Sequence, residues 1–330
     1  MAQPPIDILT IGETLIDFIA TEKTNGLRAA DTFRRHQGGS PANIAVNAAK
    51  LGLRAAIISK IGAEAFGNFL TDSLRENGVI TDFLVRDSTV RSSVIFISHT
   101  TGTPEFEAFR DGDFQLSPAE ISTEAIAAAR VVHASTFALS KEPCRSAVMA
   151  AFETAHRLGK TISLDPNFSP VIWPNRAEAL DVLAALFKMV KITKASLDDA
   201  RRLFGAETPL RAAIDHFHDW GAETVVLTLG GAGSLVSQNG ALVGYLPSRP
   251  IAIADVTGAG DAFWAGYLTA RLDGHSPEEC LLFAREIVER KLLVVGTLPA
   301  AIDRAEIYRQ LPKIADELRH RWEDVPNGSK

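Results

Sequence analysis

The sequence is poor in several residue types and patterns that mark particular classes of protein. It has 2 cysteines among 330 residues, too few for a disulfide framework or a cysteine-rich zinc site. Basic residues do not cluster, and 40 acidic against 34 basic residues give a net charge of −6, which argues against a nucleic-acid partner. The uncharged stretches fall short of the roughly 18 apolar residues of a membrane span, and the N-terminus lacks the positive region of a secretory signal. We therefore expect a cytoplasmic protein without membrane or nucleic-acid partners, in which Cys144 and Cys280 are reduced core thiols.

The composition is otherwise that of a folded globular protein. Hydrophobic residues make up 46% of the chain and charged residues 22%, which argues against disorder, a collagen-like repeat or a coiled coil. The length allows one large domain or two ordinary ones. Because no internal repeat, low-complexity tract or linker divides the chain, we predict a single domain over residues 1–330, with a frayed tail at 322–330.

Short runs rich in β-branched residues alternate with helical patterns along most of the sequence. The predicted buried strands cover residues 6–11, 55–59, 131–133, 161–164, 189–192 and 224–229. The predicted helices cover residues 41–51, 67–77, 143–158, 197–204 and 209–220. Strands that alternate with helices form βαβ units, so the pattern predicts an α/β fold with a mostly parallel sheet covered on both faces.

Two excursions break this rhythm. Residues 15–19, 32–36, 93–99 and 106–110 are short strand-like pieces with alternating polar residues. They could pair into a small second sheet with one wet and one buried face, which suits a lid over an active-site cleft. The same pattern fits two unrelated surface hairpins. The lid would span roughly residues 13–37 and 89–113.

The segment DVTGAGDAF, residues 255–263, follows a strand-like run at 251–254 and opens an apolar helix. A glycine-rich turn at a helix N-terminus presents unpaired N–H groups, so Gly258, Ala259 and Gly260 could bind phosphate oxygens. Asp261 would repel a phosphate beside it, which suggests a general base that accepts the proton of an attacking hydroxyl. The alternative is an ordinary acid in the first turn of a helix, where the helix dipole favours it.

A second segment, GGSPANIAVN at residues 38–47, has the character of a sugar site. Gly38 and Gly39 precede a proline-started helix and let the backbone approach a ligand closely, and Asn43 offers both a donor and an acceptor to a hydroxyl. Read alone, the segment also fits a loop and a capped helix. Asp17 is a candidate acceptor for sugar hydroxyls, although a lone aspartate can equally be a solvated surface residue.

A third glycine-rich segment follows the strand predicted at residues 224–229. Gly231 and Gly233 could let main-chain amides reach a nucleotide phosphate, or they could form a tight turn between two strands. The GAG of residues 258–260 is an incomplete dinucleotide fingerprint, since the third glycine is missing, so an NAD-linked oxidoreductase is disfavoured.

Two longer motifs, GGSPANIAVNAAKLG and DVTGAGDAFWAGYL, in this order resemble the two signatures of the ribokinase-like (PfkB) sugar kinases. The similarity extends over nearly the whole chain, through IGETLIDFI, KIGAEAFGNFL and VVLTLGGAGSLV. The segments GGSPAN, EPCRSA and DPN followed by a tryptophan are most similar to fructokinases. The resemblance implies a three-layer αβα fold with a mostly parallel central sheet and a small β-sheet lid.

The resemblance also implies roles for individual residues. Asp261 matches the catalytic base of the family, and Gly258, Ala259 and Gly260 match its anion hole. The positions that match sugar-binding residues are Asp17, Gly38, Gly39, Asn43 and the lid residue Arg110. The positions that match the nucleotide site are Ser196, Gly231, Gly233 and Thr257. Asp199 matches an acid that orders water around Mg²⁺, with aspartate in place of the family's glutamate. The loop around Asp255 resembles a monovalent-cation loop, which would make K⁺ a further cofactor.

One position and one segment depart from the family pattern. Ser169 stands where fructokinases usually have an arginine near the phosphates. The segment 283–290 has bulky or charged residues where the family places small residues against the adenine ring. These side chains either point away or reshape the base pocket, which leaves the identity of the nucleotide open. The residues concerned are Arg285, Val288, Glu289 and Arg290.

Together these features predict an ATP-dependent sugar kinase that requires Mg²⁺. Asp261 would take the proton from a primary hydroxyl that attacks the γ-phosphorus of ATP. Fructose, giving fructose 6-phosphate, is the leading substrate, and 2-keto-3-deoxygluconate, another sugar or a nucleoside are alternatives. A non-catalytic sugar or nucleotide sensor is an alternative of another class, motivated by the altered segment 285–290. The resemblance also suggests a homodimer formed through the lid.

Overall fold

The structure is a computed structural model that describes residues 5–24, 26–100, 105–296, 298–299 and 301–326. Strands and helices alternate along most of the chain, as the hydrophobic pattern predicts. The strands are β1 (Ile6–Ile11), β2 (Leu15–Lys23), β3 (Phe33–Gly38), β4 (Ala55–Gly62), β5 (Leu84–Asp87), β6 (Val94–His99), β7 (Phe106–Phe109), β8 (Ala129–Ser135), β9 (Thr161–Asp165), β10 (Ile192–Ser196), β11 (Thr224–Thr228), β12 (Ser234–Gln238) and β13 (Ala241–Leu246). The helices are α1 (Ser40–Lys50), α2 (Ala65–Glu76), α3 (Thr123–Ala128), α4 (Thr136–Leu139), α5 (Cys144–Arg157), α6 (Arg176–Phe187), α7 (Leu197–Phe204), α8 (Leu210–Trp220), α9 (Ala259–Leu272), α10 (Pro277–Leu292) and α11 (Arg304–Gln310).

A large central sheet organises the fold. Among the described residues, nine strands form it in the order β13-β12-β11-β10-β9-β8-β1-β4-β5. The pairs from β11 to β5 are parallel, whereas β12 pairs antiparallel with both β11 and β13. Successive side chains of a strand face opposite sides of a sheet, and accordingly Ile8 packs in one core and Leu9 in the other. Helices α1, α9 and α10 cover one face and α5, α6 and α8 the other, which confirms the predicted three-layer α/β fold.

A small separate sheet in the described part of the chain has four strands in the order β3-β2-β6-β7. Strands β2 and β6 come from the two different excursions and pair directly in parallel. This pairing confirms the predicted second sheet and excludes two unrelated hairpins. Phe18 and Phe96 stack with ring centroids 5.1 Å apart on one face of it. The nearby Phe109 is 57% exposed, which is unusual for a large apolar side chain.

Two predicted strands differ from the structure. The strand expected at residues 189–192 lies further along the chain, at Ile192–Ser196, because Met189 and Val190 complete the turn that follows α6. Residues 251–254 are not a strand: they form an irregular connection whose exposed Ile253 has no strand partner among the described residues. Pro247 and Pro250 flank the start of this connection, and proline cannot donate to a ladder.

The remaining expectations concern the end of the chain, the thiols and membrane spans. Trp322–Asp324 form a short 3₁₀ turn and Val325 packs against the core, so the chain is still folded there; residues 327–330 lie outside the described part. Cys144 and Cys280 are buried free thiols, as predicted. Within the described ranges, no helix is both long enough and apolar enough to span a bilayer.

Candidate active site

The motif DVTGAGDAF places a glycine-rich turn at the start of α9. Helix α9 begins after Gly258, whose φ of 72° lies in the left-handed region that favours glycine. No side chain in the described part of the chain caps this helix end. The Ala259 amide donates to the Val256 carbonyl oxygen at 3.1 Å, so the remaining amides of the first turn and the positive end of the helix dipole can face an anion.

Asp261 lies in the first turn of α9 with hydrogen bonds to both of its oxygens. The Ser40 hydroxyl donates to Oδ1 at 2.7 Å, and the Asn43 amide nitrogen donates to Oδ2 at 2.9 Å. Burial raises the pKa of Asp261, although these hydrogen bonds and the positive charges of two lysines oppose the shift. The carboxylate is thus held in one orientation and is a stronger proton acceptor than a solvated aspartate.

Asn43 therefore contacts Asp261 and also lines the pocket beside it. Its side-chain oxygen accepts a hydrogen bond from the Gln37 amide at 3.1 Å, while its nitrogen donates to Asp261. The expected sugar residue Asn43 is thus fixed between β3 and α9. Because both of its polar ends are engaged, a ligand would meet Asn43 in a single orientation.

Asp17 faces the same pocket from β2 and depends on the two glycines of the GGSPAN motif. A Cβ at Gly38 would lie 2.2 Å from Asp17 Oδ2, and a Cβ at Gly39 would lie 2.5 Å from the Glu13 carbonyl oxygen. Gly39 also has a φ of 96°, which side chains rarely adopt. Burial, together with the charges of Asp261 and Asp255, raises the pKa of Asp17 to about 7. The glycines are thus required for the close packing that isolates this carboxyl.

Two cavities meet at the N-terminus of α9. The first, of about 20 Å³, is lined by Asp17, Asn43, Thr257 and Gly258 among others. The second, of about 590 Å³, is lined by Gly231, Gly233, Ala259 and Gly260 among others. The glycine-rich turn before Asp261 thus separates a small polar pocket from a large cavity. The small pocket holds about one water molecule, so a larger ligand requires it to widen.

The large cavity also contains the segment that departs from the family pattern. Arg285, Val288 and Glu289 line it. Their charges are paired: Arg285 Nη1 donates to Glu317 Oε2 at 2.6 Å, and Arg249 Nη1 lies 3.2 Å from Glu289 Oε2. Arg249 Nη2 also binds Glu317 at 2.8 Å. The segment therefore places a neutralised ion-pair cluster in the wall of the cavity. Arg290 is not among the residues that line the cavity, and its Nη1 lies 3.1 Å from Glu286 Oε2.

Gly231 and Gly233 form the tight turn between two strands that the sequence offers as one alternative, and their nucleotide role stays a prediction. They lie in a 3₁₀ turn that joins β11 to the antiparallel β12. The same turn lines the large cavity, and no heavy atom lies within 4 Å of a Cβ built at Gly231. The turn thus exposes backbone to the cavity.

Lys194 of β10 is the one charged residue of a largely buried strand. Its Nζ donates to Asp165 Oδ2 at 2.8 Å, and both side chains are almost completely buried. The same Nζ lies 2.9 Å from the place where a Cβ would stand on Gly260. Burial lowers the pKa of Lys194, but the Asp165 carboxylate outweighs this effect, so the ammonium stays charged. A fixed positive charge therefore lies directly beside the anion-binding turn.

Ser196 and Asp199 form the cap of α7. The Asp199 amide donates to Ser196 Oγ at 3.0 Å, and Arg202 Nη1 donates to Asp199 Oδ1 at 3.0 Å. Burial raises the pKa of Asp199 to about 6. No group of three or more acidic, histidine or cysteine side chains within the described residues could hold a metal. Asp199 and the buried, unpartnered Asp165 Oδ1 still fit Mg²⁺ of the kind that keeps several waters and is held mainly by phosphates.

Arg110 is placed differently from the other expected sugar residues. Its Nε and Nη2 donate to Asp113 Oδ2 at 2.8 and 2.6 Å, and its Nη1 donates to Ser140 at 2.7 Å. The guanidinium also lies over the Phe137 ring, 4.2 Å from its centroid. Arg110 is not among the residues that line the small pocket. It ties the end of the small sheet to α4.

The loop that precedes the anion-binding turn is closed by its own hydrogen bonds. The Thr257 amide donates to Asp255 Oδ1 at 3.0 Å. The other oxygen of Asp255, Oδ2, lies 3.5 Å from the Nζ of Lys291, a buried lysine of α10. The loop predicted to bind a monovalent cation thus has a lysine ammonium beside it.

Comparison with known protein families agrees with this arrangement. The profile of the pfkB family carbohydrate kinases matches residues 6–297, which is most of the chain. The chain belongs to the pfkB carbohydrate kinase family. It is therefore a sugar kinase, a phosphotransferase with an alcohol group as acceptor.

Proteins similar to this carbohydrate kinase include a 6-phosphofructokinase and fructokinases. The ATP-dependent 6-phosphofructokinase of Thermoanaerobacterium thermosaccharolyticum is 32% identical over 292 residues, covering 88% of this chain and 89% of the relative. Fructokinase-1 of Oryza sativa subsp. japonica is 32% identical over 313 residues, covering 92% and 96%. The solved fructokinase of Halothermothrix orenii superposes with a TM-score of 0.74 at 35% identity, covering 90% of this chain and 100% of its own.

Several residues of the kinase site were not found from the sequence. Ser40 lies inside the GGSPAN motif, and its role appears only once α1 packs against α9. Glu13 accepts hydrogen bonds from the Ser40 amide and the Ser135 hydroxyl, and burial raises its pKa to about 8. Lys194 and Lys291 were also missed. The sequence signal for these two lysines is a single charge on a largely buried strand or helix face. This signal becomes informative only when the partner of the charge is known.

We expect Lys194→Met to destabilise the kinase by about 3–5 kcal/mol, because the change leaves the Asp165 carboxylate buried without a partner. Adding Asp165→Asn to this variant should recover a large part of the loss, because no buried charge then remains. Urea unfolding midpoints measure both effects. The single variant should also regain stability as the pH falls, because protonation neutralises the unpartnered Asp165. A loss below about 1 kcal/mol would contradict a buried ion pair.

Proposed function

We propose that this sugar kinase transfers the γ-phosphoryl group of ATP to a primary hydroxyl of fructose, giving fructose 6-phosphate. The observation that supports this proposal is the position of Asp261 directly after the glycine-rich turn that separates the two cavities. A sugar in the small pocket and a nucleotide in the large cavity would meet at this turn. The 6-phosphofructokinase relative is named as ATP-dependent, which favours ATP as the donor.

The proposed reaction uses the residues of the α9 N-terminus in three roles. Asp261 accepts the proton of the sugar hydroxyl through one of its carboxylate oxygens, while Ser40 and Asn43 hold that carboxylate in place. The new O–P bond forms as the bond between the γ-phosphorus and ADP breaks. The amides of Gly258 and Gly260 and the Lys194 ammonium stabilise the charge on the transferring group.

Magnesium would be bound mainly by the nucleotide phosphates. Asp199, through water, and Asp165 are the carboxylates that would hold it. Mg²⁺ bound there would neutralise charge on the phosphates. Ser196 keeps Asp199 at the start of α7 by a reciprocal pair of hydrogen bonds.

The small pocket favours a neutral sugar. It is lined by carboxylate and amide groups, those of Asp17, Gln37, Asn43 and Asn47, which suit hydroxyl groups. The 6-phosphofructokinase relative makes fructose 6-phosphate the main competing substrate. A phosphate needs cationic partners, and Lys291, the lysine of this pocket, has its ammonium directed at Asp255. We therefore place fructose before fructose 6-phosphate, and sugar acids and nucleosides after both.

We expect Asp261→Asn to lower turnover with fructose by about 10²–10⁴-fold, because the amide cannot accept the hydroxyl proton. The assay follows ADP release with ATP and Mg²⁺ over a panel that includes fructose, fructose 6-phosphate, a sugar acid and a nucleoside. The thermal unfolding temperature should not fall, since the side chain keeps its size.

Asp181→Asn, at an exposed position of α6, is the matched control and should retain full turnover. Unchanged turnover in Asp261→Asn would exclude this residue as the base. Turnover with fructose 6-phosphate alone would move the assignment to a phosphofructokinase. If no compound of the panel caused ADP release but calorimetry still detected sugar binding, the result would favour a non-catalytic sensor.

We expect fructose binding to weaken as the pH falls through about 7, the raised pKa of Asp17, because protonation removes a charged acceptor. At pH 6 about one tenth of Asp17 remains ionised, so the dissociation constant should be about tenfold higher than at pH 8. Calorimetry at several pH values measures this. Asp17→Asn should bind weakly and independently of pH, whereas Asp261→Asn should keep the dependence but shift it to lower pH, because the Asp261 charge no longer raises the pKa of Asp17. A dependence that persists in Asp17→Asn would assign it to another group.

We also propose that the chain acts as one kinase domain over which the small sheet closes as a lid. The pocket volume of about 20 Å³ supports a lid that must open before a sugar enters. The exposed Phe109, whose ring packs edge-on against Phe96, supports pairing of two lids in a homodimer. Light scattering should give twice the chain mass, and Phe109→Ser should shift it toward the monomer. A monomeric mass for the unaltered chain would exclude the dimer.

A further inference from the structure

Lys291 lies in the last turn of α10 and is 1% exposed. Its Nζ donates to the carbonyl oxygen of Val294 at 3.1 Å and to the carbonyl oxygen of Asp255 at 3.4 Å. The Asp255 carboxylate oxygen Oδ2 is 3.5 Å away. One buried ammonium thus has three oxygen atoms around it, from two separate segments of the chain.

These oxygens belong to the loop that leads into the anion-binding turn and to the end of the helix beside it. The Ala254 amide donates to the Leu292 carbonyl at 2.8 Å, which joins the loop to the C-terminal end of α10. A helix C-terminus carries partial negative charge, and the Asp255 carboxylate adds to it. The negative potential at this point requires a cation, and Lys291 supplies one.

The same lysine reaches the anion-binding turn. Its Cε lies 3.9 Å from the place where a Cβ would stand on Gly258, the residue that begins α9. The charge of Lys291 also opposes the rise in the pKa of Asp261. The ammonium is therefore in electrostatic contact with the base as well as with the loop.

The sequence resemblance suggests that a monovalent cation binds at the Asp255 loop, but the residues present do not fit one. The oxygens that could face K⁺ already surround the Lys291 ammonium. A second cation in the same place would meet a like charge at short range, which is unfavourable in a buried site.

We propose that Lys291 supplies, as part of the chain, the positive charge that a bound monovalent cation would otherwise supply at the Asp255 loop. The inference rests on the proposed function, because it concerns the charge of the phosphoryl-transfer site. Its consequence is that the kinase needs no added K⁺. The ammonium is covalently attached to α10, so this charge stays at the loop whatever the salt in solution.

The first experiment compares KCl with choline chloride at a constant ionic strength of about 0.15 M. Turnover of the unaltered kinase should be the same in both salts. Lys291→Met should lower turnover by about 10–100-fold in choline chloride, the loss expected for one preorganised charge. KCl or NH₄Cl should restore part of this turnover, because the removed side chain leaves oxygens that a free cation can reach. Lys188→Met, at an exposed position, is the control and should behave as the unaltered kinase.

Thermal unfolding in the same salts provides a readout that does not depend on catalysis. KCl should raise the Tm of Lys291→Met above its value in choline chloride, because a ligand that binds the folded state stabilises it. The unaltered kinase should show no such difference. If Lys291→Met does not fold, Lys291→Gln, which keeps a hydrogen-bond donor without the charge, takes its place.

Strong K⁺ activation of the unaltered kinase would overturn the inference. So would full turnover of the lysine variant without K⁺, or the absence of any K⁺-dependent Tm shift in that variant. If the kinase turned over no sugar at all, the proposed function would fail, and the Tm comparison would still decide whether Lys291 occupies a cation site.

Discussion

The site depends on the balance of buried charges around the N-terminus of α9. Asp261 needs to be ionised to accept a proton, yet it lies near other carboxylates in a partly buried place. Lys194, paired with Asp165 at 2.8 Å, and Lys291, beside Asp255, provide the opposing charge. Each lysine lies next to one glycine of the turn, and neither could be exposed without leaving its partner buried and unpaired. The anion-binding turn therefore has fixed cations on two sides before any ligand arrives.

Close packing of backbone and side chains determines where the two cavities meet. Gly38 and Gly39 leave no room for a side chain next to Asp17 and Glu13, so α1 starts directly against β2. This start brings Ser40 to Asp261. The turn before Asp261 then separates the small pocket from the large cavity. Two substrates on opposite sides of one turn can react in line without moving the base.

The large cavity shows how a chain can depart from a family's residue pattern without leaving unpaired charges in the cavity wall. Arg285 and Glu289 line the cavity, but Arg249 and Glu317, from the loop after β13 and from the C-terminal segment, neutralise the cluster. The C-terminal segment is joined to β13 through a bridge between Tyr245 and Arg319. The C-terminal segment thus pairs with charged residues that line the large cavity, far in sequence from the glycine-rich motifs.

The sequence alone determined the α/β fold, the strand-like pieces of the two excursions and the two motifs that meet at the site, because hydrophobic period and glycine-rich turns are local properties. The pairing of β2 with β6, which makes one sheet of the excursions, is a contact between distant segments that only the structure shows. The sequence placed β10 too early, because a strand that contains Lys194 looks unfavourable until its distant partner Asp165 is known. The sugar role of Arg110 stays a prediction, and only the folded chain shows that this residue pairs with Asp113. Only the tertiary structure decided which charges pair, which hydroxyl holds Asp261 and which lysine faces Asp255. These contacts join residues more than 25 positions apart, and local sequence carries no record of them.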